Sequence, residues 1–162
     1  MQRRIKAQLV IVGSGPEEAA LRHMEKNLEL KDVRWIPFLP PSELGRWYRS
    51  ADVLVLPSRS EPWGFVINEA MGEGLPVIAS EVCGASRDLI TDGVTGWMVA
   101  PDEHEVLANR IVQALSDGPR RAEVARAAKA LIAEYTPDSW ASSMANLVES
   151  LVVSRARGSQ TH

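Results

Sequence analysis

One loop-to-helix junction constrains this chain more than any other feature. Residues Leu56 to Ser80 read LPSRSEPWGFVINEAMGEGLPVIAS. Asp52 to Leu56 is a short, mostly apolar run closed by Pro57, as a strand buried on both faces would be. Ser58 to Trp63 is turn material. Gly64 to Glu73 then has helical spacing, with Phe65, Ala70 and Met71 assigned to one face and Ile67 and Leu75 near it. Gly74 stands where a helix would stop. Val77 to Ala79 restarts a strand. The stretch is one βαβ unit, and its junction lies at the carboxyl end of a strand, where open parallel sheets bind ligands.

Two carboxylates bracket the junction. Glu61 precedes the helix and Glu69 lies inside it. If both were helical, eight steps of about 100° would set them roughly 80° apart and about 12 Å along the axis. Pro62 disfavours helical geometry at Glu61, which places that residue in the loop. The helix N-terminus then falls between the two acids. Its free N–H groups and dipole suit a phosphate. A carboxylate on either side accepts hydrogen bonds from hydroxyls. Phosphate in the middle with hydroxyls at both ends describes a nucleotide sugar.

The rest of the chain alternates in the same way. Leu9–Val12 is an apolar strand, followed by Gly13-Ser14-Gly15-Pro16 and an amphipathic helix over Glu17–Leu28. Val33–Ile36 is a second strand. Ser42 suits a cap for a helix reaching about Arg49, with Leu44, Trp47 and Tyr48 inward. Val53–Leu56 is the third strand and Val77–Ala79 the fourth. Ser86–Ile90 suits a helical turn. Trp97–Val99 is a short fifth strand after the Asp92-Gly93 turn. The pattern then becomes helical. Asp102 suits a cap for Glu103–Leu115, with Val106, Leu107, Ile111 and Leu115 on one stripe. Asp117-Gly118-Pro119 breaks it. Arg120–Glu134 is a further helix. Thr136-Pro137 opens the last, whose apolar face is Trp140, Met144, Leu147, Val148 and Leu151. Arg155–His162 reads as a frayed tail. Alternating strands and helices imply an α/β, Rossmann-like parallel sheet with flanking helices and a helical C-terminal end.

Composition narrows the function classes. A chain of 162 residues is one domain with room for a core. Net charge −3 gives no basis for nucleic-acid binding. Cys83 is the one cysteine, so neither an intramolecular disulfide nor a cysteine metal cluster forms, and a reducing compartment fits. Met1–Gly13 loosely mimics a secretory signal, but the apolar run is short and leads into GSGPEE, which reads as a strand. No run reaches the length of a transmembrane helix. The expected location is cytoplasmic. His23, His104 and His162 fall on exposed helix faces or the tail, without metal-ligand spacing.

Three more stretches stand in order around the junction: LVIVGSGPE at Leu9–Glu17, VRWIPFLPPSELGRWYRSADVLVLPS at Val33–Ser58, and DGVTGWMV at Asp92–Val99. Together with Glu61-x7-Glu69 and EAMGEGLPVIAS they resemble the C-terminal, donor-binding domain of retaining glycosyltransferases of the GT-B fold, in the large family four of nucleotide-sugar enzymes. The resemblance runs from about Ala7 to Trp140. It implies transfer of a hexose from a UDP- or GDP-linked sugar to an acceptor, with retention, and without a cofactor or a metal. It implies that Glu61 meets hydroxyls of the transferred sugar and serves as the catalytic-site carboxylate. Glu69 would take the ribose diol, since two carboxylate oxygens suit two hydroxyls. The backbone at Trp63, Gly64, Phe65 and Val66 would meet sugar and phosphate. Gly13 and Gly15 would line the nucleotide, with Pro37, Phe38 and Leu39 near the base.

Each assignment has a plainer reading. Glutamates at this spacing alone fit two solvated side chains on a surface helix. Phe65 suits the core better than the site, and Trp63 suits either. The loops at 13–15 and 37–39 fit simple connections equally well. Gly13-Ser14-Gly15 is not a dinucleotide fingerprint, because Glu18 takes the third glycine's place. A glycosidase-like acid and base must face each other across the scissile bond, which a helix N-terminus does not provide. Cys83-Gly84-Ala85 stands where many relatives have paired glycines, and Arg87-Asp88 where they have Pro-Glu; no ligand contact is assigned there.

In that family another strand and helix precede the position of Leu9, and supply an arginine and a lysine that grip the diphosphate. Arg3, Arg4 and Lys6 lie too close to Leu9 for that role. No stretch corresponds to an acceptor-binding domain. The expectation is a donor domain trimmed at its front, inactive in isolation and prone to self-association. The rival readings are a non-catalytic nucleotide-binding module and a remnant that kept the fold and lost the ligand.

Overall fold

The computed structural model describes residues 5–158. Strands and helices alternate: β1 (Leu9–Val12), α1 (Glu18–Asn27), β2 (Val33–Ile36), α2 (Pro41–Ser50), β3 (Leu54–Leu56), α3 (Phe65–Glu73), β4 (Val77–Ser80), α4 (Gly84–Leu89) and β5 (Trp97–Val99). Then come α5 (His104–Ser116), α6 (Gly118–Ile132) and α7 (Pro137–Gly158). Every strand pair is parallel. The α/β class with a helical C-terminal end is as the periodicity requires.

The parallel strands lie in two pieces, β1-β2 and β3-β4-β5. Leu9 pairs with Val33, Leu54 with Val77, and Ile78 with Trp97. Central β4 is buried along its whole length. Its side chains alternate between two cores, as strand geometry demands. Val77 and Ala79 join Ile67, Ala70 and Met71 of α3 and Ala128 of α6. Ile78 joins Trp97, Val99, Ala114 and Val124. This packing holds the loop before α3 at the carboxyl end of β3.

The β1-β2 pair is covered far less. Among the described residues β1 pairs with β2 alone. A run as apolar as Leu9–Val12 normally has covered faces and paired edges, yet Leu9 is 52% exposed. Helix α1 buries none of its residues. The apolar face of α7, Trp140, Met144, Leu147, Val148 and Leu151, is exposed as well.

Several local expectations need correction. Helix α2 begins at Pro41, with Pro40 at the cap position, so Ser42 lies inside the first turn. Proline's fixed φ suits that start. Asp102 does not cap α5: its φ is 65°, and its carboxylate accepts from Arg59 Nε at 2.8 Å. The inward stripe of α5 is Leu107, Ile111 and Ala114, while Val106 is exposed. Asp117 both ends α5 and caps α6, accepting from the Arg120 amide at 2.9 Å, so α6 starts at Gly118. Thr136 and Ser139 cap α7 reciprocally, amide to hydroxyl, at 3.0 and 3.1 Å. That helix continues to Gly158, so Arg155–Gly158 is helical rather than frayed, and the rest of the tail lies outside the described residues. His162, Arg3 and Arg4 lie outside them too.

Candidate functional site

The site is built on the start of α3. Gly64 sits at the N-cap with φ 92° and ψ 61°, a left-handed conformation that favours glycine. A Cβ there would also meet Leu56 and Glu61 side-chain atoms at 3.3 and 3.4 Å. No side chain caps α3. Its first amides are therefore left to solvent or to a ligand, at the positive end of the helix dipole. Val66 lies half-buried in this first turn.

Glu61 is half-buried in the loop, as Pro62 requires. Its Oε1 accepts from the Trp63 amide at 3.3 Å, which turns the carboxylate back along the loop towards the helix. Trp63 is half-buried, and its Nε1 donates to Asn68 Oδ1 at 3.0 Å. The ring thus braces the loop against the first turn of α3. Phe65 is 71% exposed and tilts against Trp63 with ring centroids 6.5 Å apart. The core expectation for Phe65 is wrong. Two helical steps turn about 200°, so Phe65 and Ile67 lie on opposite sides of α3, and the sheet takes Ile67.

Glu69 lies in the second turn of α3 and is exposed. Its Oε2 accepts from the Tyr48 hydroxyl at 2.8 Å. Tyr48 comes from α2 and is only 9% exposed. Burial, then the hydrogen bond to Glu69, then the charge of Glu69 push the Tyr48 phenol far above the ordinary tyrosine range. It stays a neutral donor. Arg49 and Glu73, paired at 2.8 Å, tie the same two helices one turn further on.

Gly84 completes the loop's support. A Cβ on Gly84 would lie 2.5 Å from the Pro62 carbonyl oxygen and 3.0 Å from the Trp63 ring. The Ala85 amide donates to the Trp63 carbonyl at 2.9 Å. The loop carrying Glu61 therefore rests directly on the start of α4. Beneath it, Cys83 is buried and free. Burial raises its thiol pKa and nearby Glu61 adds to the rise, against the lowering effect of hydrogen bonds to Ser86 and Ser58. A protonated, covered thiol is no nucleophile.

The other expected positions form a second group. Gly13 and Gly15 follow β1, and Pro37, Phe38 and Leu39 follow β2. The Gly13 amide donates to the Ile36 carbonyl at 3.0 Å, which brings these two loops side by side. Phe38 is 77% exposed, so its ring is available for stacking. Among the described residues no hydrogen bond joins this group to residues 61–69. A separate cleft of about 300 Å³ opens beside the Glu61 loop, lined by Pro57, Arg59, Ser80 and Asp102 among others; neither glutamate lines it.

Residues 1–131 match the family described as Glycosyl transferases group 1. The chain belongs to this family. It is 33% identical over 152 residues to the D-inositol 3-phosphate glycosyltransferase of Nocardia farcinica, a match covering 90% of the chain and 33% of that relative. The chain spans about a third of the length of the curated relatives it matches. Among solved structures it resembles Anabaena Alr3699/HepE in complex with UDP, with TM-score 0.78 and 27% identity, covering 88% of this chain and 41% of that one. It also resembles the C-terminal domain of a glycosyl transferase group 1 family protein (LpcC) from Francisella tularensis, with TM-score 0.71 and 25% identity, covering 79% of this chain and 69% of that one. The architecture is that of GT-B glycosyltransferases.

Within this member of the Glycosyl transferases group 1 family, the sequence places Glu61, Gly64 and Glu69 around one helix start and does not show two of their partners. Tyr48 had been read only as an inward residue of α2. Gly84 had been given no role. Nothing local in the sequence points Gly84 at the Glu61 loop or Tyr48 at Glu69.

Proposed function

We propose that this chain is the donor-binding domain of a retaining glycosyltransferase of family four. It takes a hexose from a UDP- or GDP-linked sugar and passes it to an acceptor, with retention at the anomeric carbon. One observation carries the reading: the uncapped start of α3 lies between Glu61 and Glu69. The amides of Gly64, Phe65 and Val66 stabilise charge on the departing diphosphate. Glu61 orients the sugar, and Glu69 takes the ribose diol. Gly13, Gly15, Pro37, Phe38 and Leu39 line the nucleotide. The acceptor hydroxyl attacks on the leaving-group face, helped by a phosphate oxygen, so no protein nucleophile is required. That Anabaena Alr3699/HepE was solved with UDP and with UDP-glucose supports a nucleotide-sugar donor. Neither a metal nor a cofactor enters this scheme.

Calorimetry with UDP and GDP tests the reading. Glu69→Ala is expected to weaken binding of the preferred nucleotide by about 1.5–3 kcal/mol, the scale of hydrogen bonds to a charged group. That is about 10- to 150-fold in Kd. Binding of inorganic phosphate is expected to hold. Equal affinity of Glu69→Ala and the parent chain for both nucleotides would show that the ribose assignment is wrong.

A second reading rests on the chain's share of its relatives. Because it spans about a third of their length, a non-catalytic nucleotide-binding module is the alternative, and a remnant without ligand the weaker one. Nucleotide binding excludes the remnant. Turnover separates the module from the enzyme.

The working location proposed is the cytoplasm, with peripheral contact to the inner membrane in a full enzyme. Among the described residues no helix is long and apolar enough to cross a membrane. The isolated chain should self-associate or melt at low temperature, because the faces of α1 and α7 stay exposed. Light scattering and scanning calorimetry check this, and a monodisperse, highly stable monomer would contradict it. Leu147→Glu, on the exposed face of α7, is expected to shift an associated sample towards monomer.

A further inference from the structure

We propose that Tyr48 is a positioning residue for nucleotide recognition: its hydroxyl, on a ring set in the core, holds one oxygen of Glu69 and so presents the other to the ribose diol. The inference rests on the assignment of Glu69 to the ribose. Glu69 itself is exposed. An unheld glutamate on a helix surface samples several rotamers, and a ligand must then bear the entropy of fixing it. The structure has already fixed it. Tyr48 Oη lies 2.8 Å from Glu69 Oε2, on a ring packed into the main core with Ile67, Ala70 and Met71. The phenol is a neutral donor, so Glu69 stays an acceptor, and its second oxygen faces no competing bond among the described residues.

The anchor is itself held. Helix α2 packs against α3 through Tyr48 and Leu44, which share a core with Ile67, Ala70 and Met71. Arg49 pairs with Glu73 on the same side. The Tyr48 ring is therefore held by core packing rather than by its hydroxyl alone. A preformed acceptor lowers the ordering cost of binding, which raises affinity without adding any contact to the ligand. A tie between helices with no role in recognition would stabilise the fold and affect all ligands alike. Tyr48 acting through Glu69 affects only ligands that carry the ribose hydroxyls.

The test is calorimetry on the full 162-residue chain with UDP, GDP and their 2′,3′-dideoxy analogues. Tyr48→Phe keeps the ring and removes the hydroxyl. It is expected to raise the Kd of the ribonucleotide about tenfold, which is about 1.4 kcal/mol. The dideoxy Kd should not move. In a Glu69→Ala background, Tyr48→Phe should add nothing further. The ratio of ribo to dideoxy affinity is read within one sample, so a lower folded fraction cancels. An unchanged ratio in Tyr48→Phe, with the ratio collapsed in Glu69→Ala, overturns the role of Tyr48 and leaves the ribose assignment standing. An unchanged ratio in Glu69→Ala overturns both.

Discussion

The isolated 162-residue chain is expected to release no nucleotide from UDP- or GDP-hexoses and to transfer sugar to no acceptor. The reason is quantitative as well as geometric. The resemblance implies that an arginine and a lysine, from a strand-helix unit preceding the position of Leu9, grip the diphosphate. Loss of one oxyanion-type donor costs about 2.7–4 kcal/mol in typical enzymes. Two charged donors on the leaving group are at stake. The dipole at the start of α3 offers only about 0.3–2 kcal/mol in return. The resemblance also implies an acceptor cleft between two domains, and the chain spans about a third of the length of its relatives. The check is free nucleotide measured over time, first with the chain alone and then with a related upstream segment and acceptor domain restored. Turnover by the chain alone would overturn the expectation. Silence from the restored protein with every donor and acceptor tried would count against the enzyme reading.

Gly84→Ala should be the most damaging small substitution near the site. Its Cβ would sit 2.5 Å from the Pro62 carbonyl oxygen and 3.0 Å from the Trp63 ring. The neighbour is backbone, so it cannot turn aside as a flexible side chain would. Either α4 or the Glu61 loop must shift, at the expense of the bond from the Ala85 amide to the Trp63 carbonyl. Overpacking of this kind costs about 1–3 kcal/mol and occasionally more. Because the displaced loop carries Glu61, the discrimination between a nucleotide sugar and the bare nucleoside diphosphate is expected to fall too. Denaturant unfolding reads the first effect, and competitive calorimetry the second. A variant with unchanged midpoint and unchanged discrimination would show that the loop absorbs the methyl group freely.

The two substitutions most informative about the site, at Gly84 and Tyr48, fall at positions the sequence did not single out for a role. Gly84 is needed because a loop and a helix start, 21 positions apart by the numbering of Trp63 and Gly84, come together closely. Tyr48 reaches Glu69 because α2 packs on α3. Both facts depend on chain segments that share no local pattern. Phe65 departs from the core expectation for a related reason. Helical spacing shows that a face exists, but the sheet decides which face it is. With Ile67, Ala70 and Met71 turned to β4, Phe65 points to solvent. Asp102 was misread as a cap because a residue type suited to capping says nothing of its backbone, and here φ is 65°.

What the sequence determined by itself was the order of the elements and the local start of α3. Short apolar runs and 3.6-residue periodicity set the order of strands and helices, and β1, β2 and β5 have the bounds read from their apolar runs. Pro62 and Gly64 set the loop and the helix start, because proline restricts the residue before it and the turn at 92° favours glycine. With Glu61 in that loop and Glu69 in the second turn of α3, the two acids fall on either side of the start. Tertiary structure decided the rest: the buried face of α3, the clearance at Gly84, the tyrosine behind Glu69, and the two separate groups of strands. The physical reason is range. Backbone preferences and periodicity act over a few residues and are written in them, whereas burial and close contact depend on which distant surfaces meet.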